Sequence, residues 1–264
     1  MIVIYHYFYK NIYNKMNKYV MCLSYLGTNY SGWQIQDNAI SIQGLIMDAL
    51  HKLINCEIPL IVGAGRTDSG VHAINFIAHF ESYDIDIEKT HYKLNRFLPH
   101  DIVIHQIKNI EDDFHARYSA LSRTYEYWVS TQKDPFLIDR SYLFTKKISI
   151  DLMNQGASIL IGTQDFSAFS KSKQTNNICT ISSAYWFQSK NMLIFSIEAD
   201  RFLYNMVRCI VGTLIELGVG KINLTEFKSI IKSKNRSRSG FSVPASGLYL
   251  LNIKYPKKFN IESF

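Results

Sequence analysis

Hydrophobic positions recur along this chain at two spacings. A spacing of two marks a strand, and a spacing near 3.6 marks a helix with an apolar stripe. Residues 19–26 are aromatic and β-branched enough to predict a strand. Leu45, Ile46, Ala49, Leu50 and Leu53 predict a helix, capped by Ser41 and ending near residue 55. Residues 59–62 read as a short apolar strand. Residues 73–81 read as a longer one, with Phe76, Ala78 and Phe80 on one face and Asn75, Ile77 and His79 on the other. A helix over 87–97, stopped by Pro99, and a strand over 102–105 follow.

In the second half, 123–130 has a clear period of two. Tyr125, Tyr127 and Val129 face one way, and Thr124, Glu126 and Trp128 the other. Helices are predicted over 150–161, ending at Gly162, over 202–217, ending at Gly218, and over 224–232. Strands are predicted over 180–188, 192–199 and 248–253. The stretch 27–33 is a loop with two exposed-type aromatics, Tyr30 and Trp33, and 171–177 is a polar loop expected to be mobile. The first half runs strand, helix, strand, strand, helix, strand. That order excludes a doubly wound parallel sheet and an all-β barrel. It predicts an α+β fold with a mostly antiparallel central sheet and helices on one face. The halves read as distant repeats of one αβ unit. With no linker between them they are expected to share the sheet. The divisions expected are an extension over 1–15, with Met16 as an alternative start, αβ halves over 16–113 and 114–255, and a tail over 256–264.

With 47% hydrophobic and 14% aromatic residues among 264, the chain is not disordered and has material for a large core. Its net charge of +7 favours a polyanion, nucleic acid or an acidic membrane surface. An AT-rich genome, which enriches Lys, Asn, Ile and Tyr, is a competing source of that charge. Cys22, Cys56, Cys179 and Cys209 form no CxxC pair and have no histidine at metal-ligand spacing, so they read as reduced thiols of a cytoplasmic protein. No run is long enough for a membrane span, and the N-terminus lacks a cleavage signature.

Candidate chemistry starts at Gly63-Ala-Gly-Arg-Thr-Asp-Ser-Gly-Val-His-Ala73. Glycines frame Arg66 and Asp68 on a tight loop between two strands, and the alternative is a plain surface turn. The glycine spacing is neither a dinucleotide fingerprint nor a P-loop. Arg208 lies in an apolar helix face, where a buried guanidinium needs an anion; otherwise its stem snorkels outward. If Asp68 is that anion, the arginine is expected to hold the carboxyl below its ordinary pKa. Lys232, Lys234, Arg236 and Arg238 sit in a serine-rich loop, as phosphate contacts or a solvated helix end.

Six stretches together resemble the tRNA pseudouridine synthase A family. They are Gly65-Arg-Thr-Asp-Ser-Gly-Val-His-Ala73, Tyr25-Leu-Gly-Thr-Asn-Tyr-Ser-Gly-Trp-Gln34, Leu94-Asn-Arg-Phe-Leu-Pro99, Asp113-Phe-His-Ala-Arg-Tyr-Ser-Ala120, Asn205-Met-Val-Arg-Cys-Ile-Val-Gly212 and Pro244-Ala-Ser-Gly-Leu-Tyr249. All stand in the family's order. The resemblance implies Asp68 as catalytic nucleophile, Arg208 as its partner, Tyr125 stacking on the flipped uridine, and Arg66 assisting base flipping. It implies two αβ halves around the sheet with the active-site cleft between them. It implies isomerisation of uridine at positions 38, 39 and 40 of tRNA by a homodimer, without cofactor or metal. Attack on the base, attack on C1′ and proton removal at C2′ all remain open. A non-catalytic RNA-binding protein on this scaffold, and a synthase with other target uridines, are the rival readings.

Overall fold

The computed structural model describes residues 16–54, 60–171 and 176–261. The expectations for 1–15, Cys56, the start of the predicted 59–62 strand, most of loop 171–177 and the last three residues lie outside them. The described strands are β1 (Asn17–Tyr25), β2 (Val62–Gly63), β3 (His72–Ser82), β4 (Ile102–Asn109), β5 (Ser122–Ser130), β6 (Tyr142–Leu143), β7 (Gly162–Asp165), β8 (Ile178–Ser189), β9 (Met192–Ala199) and β10 (Leu248–Lys254). The helices are α1 (Ile42–Ile54), α2 (Ile87–Phe97), α3 (Ile150–Ser158), α4 (Met206–Gly218) and α5 (Leu224–Ser233).

One sheet joins them, in the order β4-β1-β3-β10-β5-β9-β8-β7, with β2 paired to β3 and β6 to β5. Every pairing is antiparallel except β3 with β10 and β5 with β6. The parallel seam sets His72 opposite Tyr249 and Ala73 opposite Leu250. Because β3 and β10 run the same way, the segments that enter them, 66–71 and 244–247, arrive at the same end of the sheet. β5 runs against β10, and its Tyr125 stands opposite Leu250. The seam therefore brings three distant segments to one place.

Two hydrophobic clusters fill the molecule, one on each side of the seam. The first takes the inner residues of β1, β3 and β4 together with α1 and α2. The second takes β5, β8 and β9 with α3, α4 and α5. Local signals start the helices well. Asp86 accepts the Lys89 N–H, Ser149 accepts the Leu152 N–H, and Asn223 with Glu226 forms a capping box on α5.

Three expectations change, and one face is newly defined. Tyr30 and Trp33 are buried, and Trp33 stacks on Phe76 with ring centroids 4.2 Å apart. The face of β3 that carries His79 and Ile77 is covered. Residues 110–120 and 255–261 cover it with Phe114, Ala116, Tyr255, Phe259 and Ile261, and the Ala116 N–H donates to His79 Nδ1 at 3.1 Å. The helix predicted over 202–217 begins at Met206, because Asn205 before it takes a left-handed conformation with φ 62°. The helix predicted to 161 ends at Ser158, and Gly162 opens β7 instead of only stopping a helix.

Candidate active site

Asp68 sits on the loop between β2 and β3. That loop is held by the segment 27–33, not by its own turns alone. The Trp33 N–H donates to Thr67 O at 3.3 Å, the Gly70 N–H to Tyr30 O at 3.3 Å, and Ser69 Oγ to the same carbonyl at 3.2 Å. Tyr25 Oη and Thr67 Oγ1 are bonded at 2.8 Å. Gly32 makes the contact possible. Its φ is +87°, and a Cβ there would lie 2.2 Å from Thr67 O. Below the loop, His72 Nδ1 accepts the Gly27 N–H at 2.9 Å. The ring proton is therefore on Nε2, where it faces the carbonyls of Asp139 and Ser246, each at 3.1 Å. Burial lowers the His72 pKa and keeps the ring neutral.

Arg208 lies in the first turn of α4. Its Nε donates to Val243 O at 2.7 Å, and the Val243 N–H donates back to Arg208 O at 3.3 Å. One turn on, a Cβ at Gly212 would lie 1.9 Å from Phe241 O, so only glycine lets the 241–243 backbone rest on the helix. Tyr127 Oη holds the next carbonyl, Pro244 O, at 2.8 Å. Thus anchored, Arg208 places Nη1 3.8 Å from Asp68 Oδ2. The outward-snorkelling alternative does not hold.

The pair does not behave as the sequence suggests. Burial raises the Asp68 pKa above its ordinary value, while Arg208 and then Lys171 oppose that rise without cancelling it. Desolvation wins because the contact is an ion pair at 3.8 Å and not a direct charge-assisted hydrogen bond. The result is a carboxylate more basic than a solvated one, with Arg208 favouring its charged form.

Tyr125 is half-buried in β5, edge-on to Phe202 with centroids 5.1 Å apart and planes at 86°. Burial pushes its hydroxyl pKa up to about 12, with Arg123 opposing and Asp68 adding. Asp68, Arg66, Tyr125 and Arg208 all line one cavity of about 810 Å³. Arg66 is exposed there, its Nε donating to Gln34 Oε1 at 3.1 Å.

The cavity also contains residues that the sequence reading did not single out. Arg117, Tyr118, Arg123, Arg201, Phe202 and Tyr204 all line it, and among the described lining residues five arginines surround one carboxylate, Asp68. Arg123 is the most constrained. Its Nη1 donates to Asp200 O at 2.8 Å and Ala120 O at 3.4 Å, and its Nη2 to Arg117 O at 2.6 Å and Ala64 O at 3.2 Å. One guanidinium thus ties the Asp68 side, the linker before β5 and the segment after β9. A signal for it existed: Arg123 precedes Tyr125 by two, on the same strand face.

The basic loop divides. Arg236 turns inward, donating from Nη1 to Ser239 Oγ at 2.9 Å and Gly240 O at 3.1 Å, and from Nη2 to Ser242 Oγ at 3.0 Å. It braces the backbone that rests on α4. Lys234 pairs with Asp165 at 2.9 Å. Lys232 and Arg238 are exposed, Arg238 donating to Ser229 Oγ at 3.2 Å. None of the four lines the Asp68 cavity.

Among the described residues no three His, Cys, Asp or Glu side chains converge as a metal would require. No described helix is long and apolar enough to cross a membrane. Comparison with known proteins gives one consistent result. The family model described as tRNA pseudouridine synthase matches residues 21–119 and 157–256. The protein of Bacteroides fragilis named tRNA pseudouridine synthase A is 43% identical over 92% of this chain and 98% of its own length. Those of Parabacteroides distasonis and Thermoanaerobacter sp., under the same name, are 43% and 44% identical over 92% and 91% of this chain, and 98% and 100% of theirs. With the Asp68–Arg208 ion pair in a cavity lined by five arginines, and with this likeness over nearly its whole length, the chain belongs to the tRNA pseudouridine synthase family.

Proposed function

We propose that this protein isomerises uridine to pseudouridine at positions 38, 39 and 40 of tRNA, working as a homodimer in the cytoplasm. The observation that carries the reading is the Asp68–Arg208 pair at 3.8 Å in a cavity whose lining includes four further arginines and the rings of Tyr118, Tyr125, Phe202 and Tyr204. The reaction breaks N1–C1′, turns the base and forms C5–C1′; the hydrogen leaves C5 and one is gained at N1. Atoms and electrons balance within the nucleotide, so the chain's own groups suffice.

Asp68 acts on the nucleotide as nucleophile or as base, and its partly desolvated carboxylate favours either role. Arg208 keeps that carboxylate ionised and pointed into the cavity. Tyr125 gives the flipped base a half-buried aromatic face. Arg66, exposed beside Gln34, occupies the space the uridine leaves or grips a phosphate. Lys232 and Arg238 contact the tRNA backbone outside the cavity, with Lys234 and Arg236 supporting the loop that carries them.

Undermodified tRNA incubated with the wild type is expected to gain pseudouridine, mapped base by base. Asp68→Asn is expected to bind the tRNA without converting it. Conversion by that variant, or no conversion by the wild type, ends the reading.

A further inference from the structure

We propose that Tyr118 and Tyr204 are stacking platforms for the two bases that flank the extruded uridine. The inference rests on uridine isomerisation in tRNA as the activity, and it adds two binding residues to that site.

Both tyrosines line the Asp68 cavity, yet they are 76% and 57% exposed. The fold has not buried them, although it has buried Tyr25, Tyr30, Trp33 and Phe76 close by. Their backbones, in contrast, are fixed. The Tyr118 N–H donates to His115 Nδ1 at 3.2 Å. Its ring lies against the His115 ring with centroids 4.4 Å apart and planes at 32°, and the Arg117 guanidinium carbon is 5.7 Å from its centroid. Tyr204 stands between Leu203, which is 5% exposed, and Asn205, the left-handed residue that opens α4. Arg123 binds both segments, through the carbonyls of Arg117 and Ala120 on one and of Asp200 on the other. Two rings are therefore presented to the cavity from segments that meet beside Tyr125.

Their use follows from the chemistry of extrusion. Pulling one base out of a strand breaks its stacks with both neighbours. An aromatic side chain replaces such a stack whatever the neighbour is, because every base has a π face. Three accessible or half-buried tyrosines, Tyr118, Tyr125 and Tyr204, then match three consecutive bases. The cavity is large enough, since about 810 Å³ lies in the upper part of the range for whole-ligand sites. A tyrosine that instead held a phosphate through its hydroxyl would lose its role on conversion to phenylalanine, whereas a stacking ring would not.

The test uses an anticodon stem-loop RNA with 2-aminopurine in place of either neighbour of the target uridine. In complex with the wild type the probe is expected to stay quenched, as a stacked base does. Tyr118→Ala and Tyr204→Ala are each expected to brighten the probe at one neighbour and to raise KM about 5- to 100-fold, with kcat within about twofold. Tyr118→Phe and Tyr204→Phe are expected to restore wild-type quenching and KM, and melting temperatures of all four variants to match the wild type. Unchanged fluorescence and KM in both alanine variants overturn the proposal, and so does failure of the phenylalanine variants to rescue. The two readings fail separately: a wild type that quenches the probe but forms no pseudouridine removes the activity, while pseudouridine formation with alanine variants at wild-type KM removes only the stacking.

Discussion

The Asp68 loop and the Lys232–Arg238 loop are both short, polar and charged, and in sequence both are candidates for chemistry. The fold treats them oppositely. Around Asp68, polar backbone groups are satisfied by neighbouring segments, so the carboxylate is left facing the cavity with Arg208 as its ion-pair partner. In the basic loop the charges themselves are the bracing: Arg236 holds three acceptors and Lys234 holds Asp165. A charged side chain is available to a substrate only where something else supports the backbone that carries it.

The sharpest way to break that contrast is at Asp68. Asp68→Ala is expected to lower pseudouridine formation by about 10⁴-fold or more, read by single-turnover assay, with tRNA affinity retained. An activity within tenfold of wild type would place the chemistry elsewhere. Arg208→Met is expected to reduce kcat by about 10²- to 10³-fold with little change in binding; a loss confined to binding would move Arg208 to the RNA surface. Because burial has raised the Asp68 pKa, the acidic limb of kcat/KM should also lie above the ordinary aspartate value, and Arg208→Met should move it higher still.

In the basic loop the expected effects are smaller and split by residue. Arg236→Met is expected to destabilise the fold by about 1–3 kcal/mol, measured by denaturant unfolding, because two serine hydroxyls and Gly240 O lose their donor. The double variant Lys232→Met, Arg238→Met should leave stability alone. It should instead flatten the slope of log affinity against log salt by about 1.4 to 1.8. If Arg236→Met changes the salt slope and not stability, the inward assignment is wrong.

The smallest effect is one of pH. His72 and His79 have folded pKa values below the ordinary 6.5, chiefly through burial, and His79 lies at about 4. A depressed histidine contributes stability that is complete above pH 6.5 and is lost as pH falls through its folded value. Residues 224–243 contain no histidine. Hydrogen exchange between pH 6.5 and 4 should therefore open amides of 27–33 and 66–72 before those of α5. Simultaneous loss of protection would remove the distinction.

What sequence could show follows the reach of each signal. Hydrophobic period, glycine and capping residues are local, so β1, β3, β4, β5, β8, β9, β10 and α1 to α5 are legible, with errors at ends where a nonlocal demand intervenes. Asn205 is such an end: Phe202 continues the apolar pattern, but the chain turns there and Phe202 becomes a wall of the cavity against Tyr125. Trp33 is another. Its loop composition reads as exposed, yet it fills the space over Phe76.

The sequence by itself determined the element types, the glycine-framed Asp68 loop and a run of motifs sufficient to point to a family. Only the tertiary structure decided that the Asp68 pKa rises, that Arg236 faces inward while Arg238 does not, and that Arg123 joins three segments beside Tyr125. The reason is physical. Desolvation and pairing depend on which distant groups arrive within a few ångströms, and here a two-residue parallel seam between β3 and β10 brings them together.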